Sequence, residues 1–205
     1  GGPVSLILND SMYRDKAPIE MLPDAEAVTP EATFAGGTFS TSQINYVSSV
    51  PPGEYQATYE PLEIVYTYAT GDGGEIVKKY TFYPDDYHYD LVLQINGREQ
   101  FGFERKYNIG WNTPLGVTEP QPDQDYNVME AVAMMSGSRE TLDDFNDGRL
   151  NQLLVGNTEW TGLRSKYFAV AVIPRNRQAD AAFAQGSKNK VSTPNGSVEV
   201  RRIVS

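Results

Sequence analysis

Few residues in this chain are equipped for chemistry. His88 is the single histidine among 205 residues, and cysteine is absent. Sites built on two imidazoles or on thiolates are therefore excluded, including the His-Glu-x-x-His zinc motif and iron–sulfur clusters. His88 stands between Tyr87 and Tyr89, in a run of strand character. An imidazole there acts as a general acid or base only if a partner converges on it. No Gly-x-Ser-x-Gly elbow exists for it to serve. Asp85-Asp86 and Asp143-Asp144 are adjacent carboxylates. Neighbours along a strand point to opposite faces, so these pairs read as solvated turn residues. The run Asp143-Asp144-Phe145-Asn146-Asp147-Gly148 has the composition of a calcium loop. Its frame fails, because Phe145 falls at the third position counted from Asp143, and Gly148 at the fifth counted from Asp144. Gly71-Asp72-Gly73-Gly74 lacks the Lys-Ser/Thr of a phosphate loop and joins two strand-like runs, so it reads as a turn. The residues thus assign no catalytic role, no cofactor site and no metal ligand.

Charge narrows the partners. The net charge is −10 and the pI about 4.6, a balance that repels nucleic-acid phosphates. The sign is segregated. Residues 1–160 carry 25 acids and 9 bases, and residues 161–205 carry 2 acids and 8 bases. A basic tail of this kind packs beside the acidic body, or it faces anionic head groups or an acidic partner. No apolar run nears the ~18–20 residues of a membrane span. The longest is Phe168–Pro174. The chain begins Gly1-Gly2, with neither an initiator methionine nor a signal peptide. It reads as one domain excised from something longer.

The elements available to position these residues are strands. Val4–Leu8 is a short apolar strand, and residues 15–56 read as long loops with a short strand near Thr38–Ile44. Leu62–Tyr68 and Glu75–Phe82 flank the glycine turn as a hairpin, and Tyr87–Ile95 extends it to a meander. Phe101–Trp111 is a fourth strand. Residues 113–125 form a Pro-rich acidic loop, and Tyr126–Met135 reads as strand. Thr141–Leu154 has the apolar spacing of a short helix interrupted by Gly148. Lys166–Ile173 is apolar on both faces, which predicts a central strand. Gly196–Val204 alternates as a half-exposed last strand. The 13 tyrosines and 8 phenylalanines fit cross-strand pairs and core better than a ligand platform. The fold class is all-β, an antiparallel sandwich with few or no helices.

One stretch is more specific. Asn157 to Pro174, containing Trp160, Gly162, Lys166, Tyr167, Phe168, Ala171, Ile173 and Pro174, resembles the W-x-G-x-x-x-K-Y-F-x-x-A-x-I-P run of the large periplasmic domain in the YidC/Oxa/Alb family of bacterial membrane-protein insertases. Tyr66-Thr67-Tyr68, Lys79-Tyr80-Thr81-Phe82 and Asp86-Tyr87 are similar to that domain's hairpin, in the same order. The matched parts cover about 50 residues.

The resemblance implies a β-supersandwich of the galactose-mutarotase kind, spanning 1–205 as one slightly truncated domain. It implies a place on the periplasmic side of the bacterial inner membrane, tethered by flanking transmembrane helices. It further implies a non-enzymatic part in the insertion and folding of membrane proteins. The partners would be translocon components and client proteins, with no nucleic acid and no cofactor. The insertion chemistry of the family lies in membrane helices that this chain does not contain, so no residue here inherits it. The alternative is a carbohydrate-binding or mutarotase-like sandwich, for which a lone histidine gives no support. Within 157–174 the alternating faces and Gly162 read as core and turn. Arg164, Lys166, Arg175 and Arg177, which flank the strand, are the candidate partner contacts.

Overall fold

The computed structural model describes residues 2, 5, 7–8, 19–22, 30–34, 39–101, 106–118, 122–193 and 196–205. The chain divides into two compact units. Residues 1–2 and 31–108 form the first, and residues 3–30 and 109–205 the second. Both are built of antiparallel strands, as the composition predicts. At the start of the chain β1 (Ile7–Leu8) pairs with β2 (Ile19–Glu20).

In the first unit β3 (Glu31–Phe34) pairs with β4 (Phe39–Ser40). A four-stranded meander follows: β5 (Val47–Ser48), β6 (Leu62–Ala69), β7 (Glu75–Phe82) and β8 (Tyr89–Asn96). The glycine run closes the β6–β7 hairpin, with Gly73 at φ 95°. Only glycine takes that backbone without strain. Alternation along β7 buries Ile76, Lys78 and Tyr80 on one face. Aromatic rings fill that side: Tyr66 lies edge-on to Tyr80 at 5.8 Å, and Tyr46 edge-on to Tyr66 at 6.5 Å. Lys78 is 1% exposed, and its ammonium sits 5.4 Å from the centre of the Tyr46 ring. β9 (Tyr107–Gly110) adds to β3, and the chain leaves the first unit within it.

The second unit contains α1 (Pro122–Tyr126), β10 (Glu130–Met135), β11 (Ser138–Leu142), β12 (Phe145–Asn146), β13 (Arg149–Arg164), β14 (Ala169–Val172), β15 (Ala179–Thr193) and β16 (Gly196–Val204). The sheet order is β11-β10-β13-β15-β16, with β12 and β14 also paired to β13. Two hairpins close through two-residue turns with both central residues left-handed, Ser136-Gly137 (φ 50° and 81°) and Asp147-Gly148 (φ 47° and 73°). This backbone matches the twist of the flanking strands. Trp111, Leu115, Met129, Ala131, Ala133, Leu142, Leu150, Leu163, Ala182 and Ile203 form the core. At its margin the Trp111 N–H donates to the Ser205 carbonyl at 2.5 Å, and the Ser205 N–H returns a bond of 3.2 Å.

Several expectations change. The 141–154 segment is not a helix but the β11–β12–β13 turn sequence, because Asp147-Gly148 reverses the chain in two residues. Lys166–Ile173 is not a central strand. Only Ala169–Val172 pairs, to the end of β13, and Ala169, Ala171 and Ile173 face outward. Small side chains make the segment look apolar on both faces although one face is open. The Phe101–Trp111 strand is confined to β9, Arg98–Phe101 forms a 3-10 turn, and residues 102–105 lie outside the described residues. A helical turn, α1, interrupts the Pro-rich loop, so the 126–135 strand starts at Glu130. His88 precedes β8 and sits in a turn. Val4 and Leu6 of the first expected strand, and Thr38 of the second, lie outside the described residues. β15, fifteen residues long, carries no motif that the sequence made conspicuous.

Two predictions follow from this packing. A β-carbon on Gly162 would lie 2.3 Å from the Val170 carbonyl oxygen, so Gly162→Ala should destabilise the second unit by about 1–3 kcal/mol, read as a fall in the urea midpoint. Burial, opposed by the Glu31 carboxylate, holds the Lys78 ammonium down at about 8. Above that pH the folded state releases a proton that the unfolded chain still binds, so stability rises from pH 8 toward 10 by at most about 3 kcal/mol. Burial also pushes the Tyr46, Tyr80 and Tyr89 phenols up. Unfolded tyrosines lose protons near pH 10 that the fold retains, so stability falls again beyond it. Urea unfolding across pH 7–11 should show this maximum, and Lys78→Met should remove its rising limb.

Candidate functional site

The stretch that carries the family resemblance forms a surface. β13 ends at Arg164, and residues 165–168 reverse the chain. The Ser165 N–H donates to the Phe168 carbonyl at 2.8 Å, and the Phe168 N–H donates to Ser165 Oγ at 3.3 Å. β14 then runs back along β13. Alternation sorts the side chains as the sequence suggested. Phe168, Val170 and Val172 pack on the core, while Tyr167, Ala169, Ala171 and Ile173 point outward. Tyr167 is 57% exposed and Ile173 58%.

On that outer face the strands align in rows. Val132, Gly162 and Ala171 are register partners, as are Glu130, Arg164 and Ala169. Gly162 has no side chain and Ala171 has only a methyl, so the middle row is low. Trp160, Ile173, Arg139 and Arg164 stand around it, leaving an apolar depression of about 290 Å³. The two guanidiniums are fixed by one carboxylate. Glu130 Oε1 accepts from Arg164 Nε at 2.5 Å and also from Arg139 Nη2. Arg139 lies opposite Met134 and reaches along the strand to Glu130. Its stem therefore crosses the Val132 row and helps to bury that side chain.

The four expected contact residues separate into two pairs. Arg164 and Lys166 lie at one end of β14. Lys166 Nζ donates to Gln124 Oε1 at 2.7 Å and sits 4.9 Å from the centre of the Tyr167 ring. Arg175 and Arg177 lie at the other end, exposed in the loop leading to β15. Four residues of strand hold the pairs apart by ~13 Å. Arg139, Glu130 and Trp160 belong to the same face, and the sequence reading missed them as such. The Ser136-Gly137 dipeptide was a legible hairpin signal that would have brought Arg139 beside β10.

The other chemistry-bearing groups are scattered. His88 Nδ1 does meet a carboxylate, Asp86 Oδ1 at 2.7 Å. The His88 N–H donates to the same oxygen at 3.2 Å, so the pair is a local turn motif on a half-exposed loop. The His88 hydrogen bond holds the Asp86 carboxyl below its usual range. Asp143, Asp144 and Asp147 stand exposed around the β12 hairpin. Among the described residues no three His, Asp or Glu side chains gather as a metal site. No described helix is long and apolar enough to cross a membrane.

A family model described as the YidC periplasmic domain matches residues 9–202. The membrane protein insertase YidC of Chlorobium luteolum is 26% identical over 191 residues, which is 91% of this chain and 32% of that protein. The membrane protein insertase YidC of Chlorobaculum tepidum is 30% identical over 131 residues, covering 63% of this chain and 22% of the relative. That of Syntrophus aciditrophicus is 22% identical over 188 residues, covering 90% of this chain and 34% of the relative. The chain thus spans about a third or less of the length of the curated relatives it matches. No solved structure matches it significantly. With the family model covering nearly the whole chain, the chain belongs to the YidC periplasmic domain family.

Proposed function

We propose that this chain serves, as one domain, the non-enzymatic periplasmic part of a membrane-protein insertase. It is held at the periplasmic side of the bacterial inner membrane by flanking transmembrane helices, and it docks translocon components or client segments through the β13–β14 face. The observation that carries the reading is the position of the family stretch. Trp160, Gly162, Ala171 and Ile173 line an open apolar depression. Exposed apolar residues rimmed by arginines are the make-up of a protein contact. Arg164 lines it, Lys166 lies at the same end of β14, and Arg175 and Arg177 follow in the loop beyond the other end. Part of the aromatic content, the feature favouring a carbohydrate reading, is taken up in packing around the buried Tyr80 ring, against which Tyr66 lies edge-on.

A photoreactive residue at Ile173 in the membrane-anchored parent tests this. It should crosslink to a translocon component or a nascent client. Ala171→Arg, at an exposed position, should cut the yield about tenfold by filling the depression, and Arg175→Glu with Arg177→Glu should weaken it. An absence of adducts from Ile173 in a stable, correctly placed protein defeats the docking reading.

A further inference from the structure

The face just described leaves the basic end of the chain unused. β15 and β16 pair from Gln185↔Val204 to Thr193↔Gly196 as a long antiparallel hairpin, with β16 at the edge of the sheet. Arg149, Lys188, Lys190, Arg201 and Arg202 converge there, with the acid Glu199 among them and Asp147 in the turn that precedes Arg149. Arg149, Ser187 and Arg202 share one register row, and Lys188 faces Arg201 in the next. Strand alternation puts Arg149 and Arg202 on one side of the hairpin, and Lys188, Lys190 and Arg201 on the other. Glu199 engages Lys188 at 3.6 Å and Arg201 at 3.1 Å, and both cations lie over the Phe145 ring. Arg149, Lys190 and Arg202 are exposed and make no ion pair among the described residues. Val191, next to Lys190, is 48% exposed.

We infer that the β15–β16 hairpin is a contact surface for the anionic head groups of a phospholipid bilayer. Bases on both sides of a blade suit a broad anionic plane met edge-on, whereas a groove or a peptide would engage one side. Residues 161–205 carry 8 bases against 2 acids, so an anionic surface attracts this part of the chain within about a Debye length. Each base near such a surface adds attraction, and an exposed valine beside them tolerates the interfacial region. The inference takes only the nearness of a bilayer from the proposed function. It does not depend on the β13–β14 face.

Co-sedimentation of the chain with vesicles tests it. Partitioning onto phosphatidylglycerol-containing vesicles should exceed that onto pure phosphatidylcholine about tenfold or more, and high salt should abolish the difference. Lys190→Glu with Arg202→Glu should remove the preference. Arg98→Glu with Lys106→Glu, the same charge change on exposed residues of the first unit, should retain it. Matched thermal unfolding curves would establish that each variant is folded. Equal binding of wild type to both vesicle types overturns the inference. Equal loss in the two variants also overturns it, because net charge and not the hairpin would then govern binding. Crosslinking from Ile173 is a separate readout, so failure of one reading is visible without failure of the other.

Discussion

The second unit depends on the pairing of β13 with four other strands. A strand of sixteen residues exposes more backbone donors and acceptors than one neighbour can satisfy, and each buried group left unpaired costs free energy. β13 meets this obligation in sections. Its first half pairs with β15 and, at the tip, with β12. Its second half pairs with β10 on one edge and β14 on the other. Register shifts on both sides of this strand, between Met134 and Met135 and between Val155 and Thr158, let one strand serve several partners. Such bulges bend a strand and increase its twist. At the bend's far end the β14 backbone approaches so closely that only glycine fits at Gly162.

That close approach connects fold to surface. With Gly162 bare and Ala171 beside it, the outer face of the sheet is low where Trp160, Ile173 and the two arginines are high. The same small residues that let strands pack closely therefore shape the depression. Glu130 then fixes both arginines on one carboxylate. Held this way, they lose less side-chain freedom when a partner arrives than free arginines would.

Polar groups in the first unit are used differently. Lys78 lies among tyrosines, with Glu31 near enough to favour its charge. A buried ammonium is costly, and it withstands burial through its partners and the Tyr46 ring.

Much of this was legible in the residues. The meander of β6, β7 and β8 follows from period-2 alternation around a glycine turn, since local twist and φ demands determine a tight hairpin. β16 follows from the same alternation, and the two faces of 167–173 follow from strand geometry alone. The family followed from types and spacing in 157–174. What the sequence left open was non-local. β13 was hidden because its polar residues alternate weakly and Asp147-Gly148 was read as a helix break. The Arg139–Glu130–Arg164 cluster joins three strands, and no spacing along the chain encodes it. The burial of Lys78 and the opening of β14's outer face depend on what packs over each, and that is set by neighbours far away in sequence. Local backbone chemistry determined the hairpins. Only tertiary packing decided which of their faces became core and which became surface.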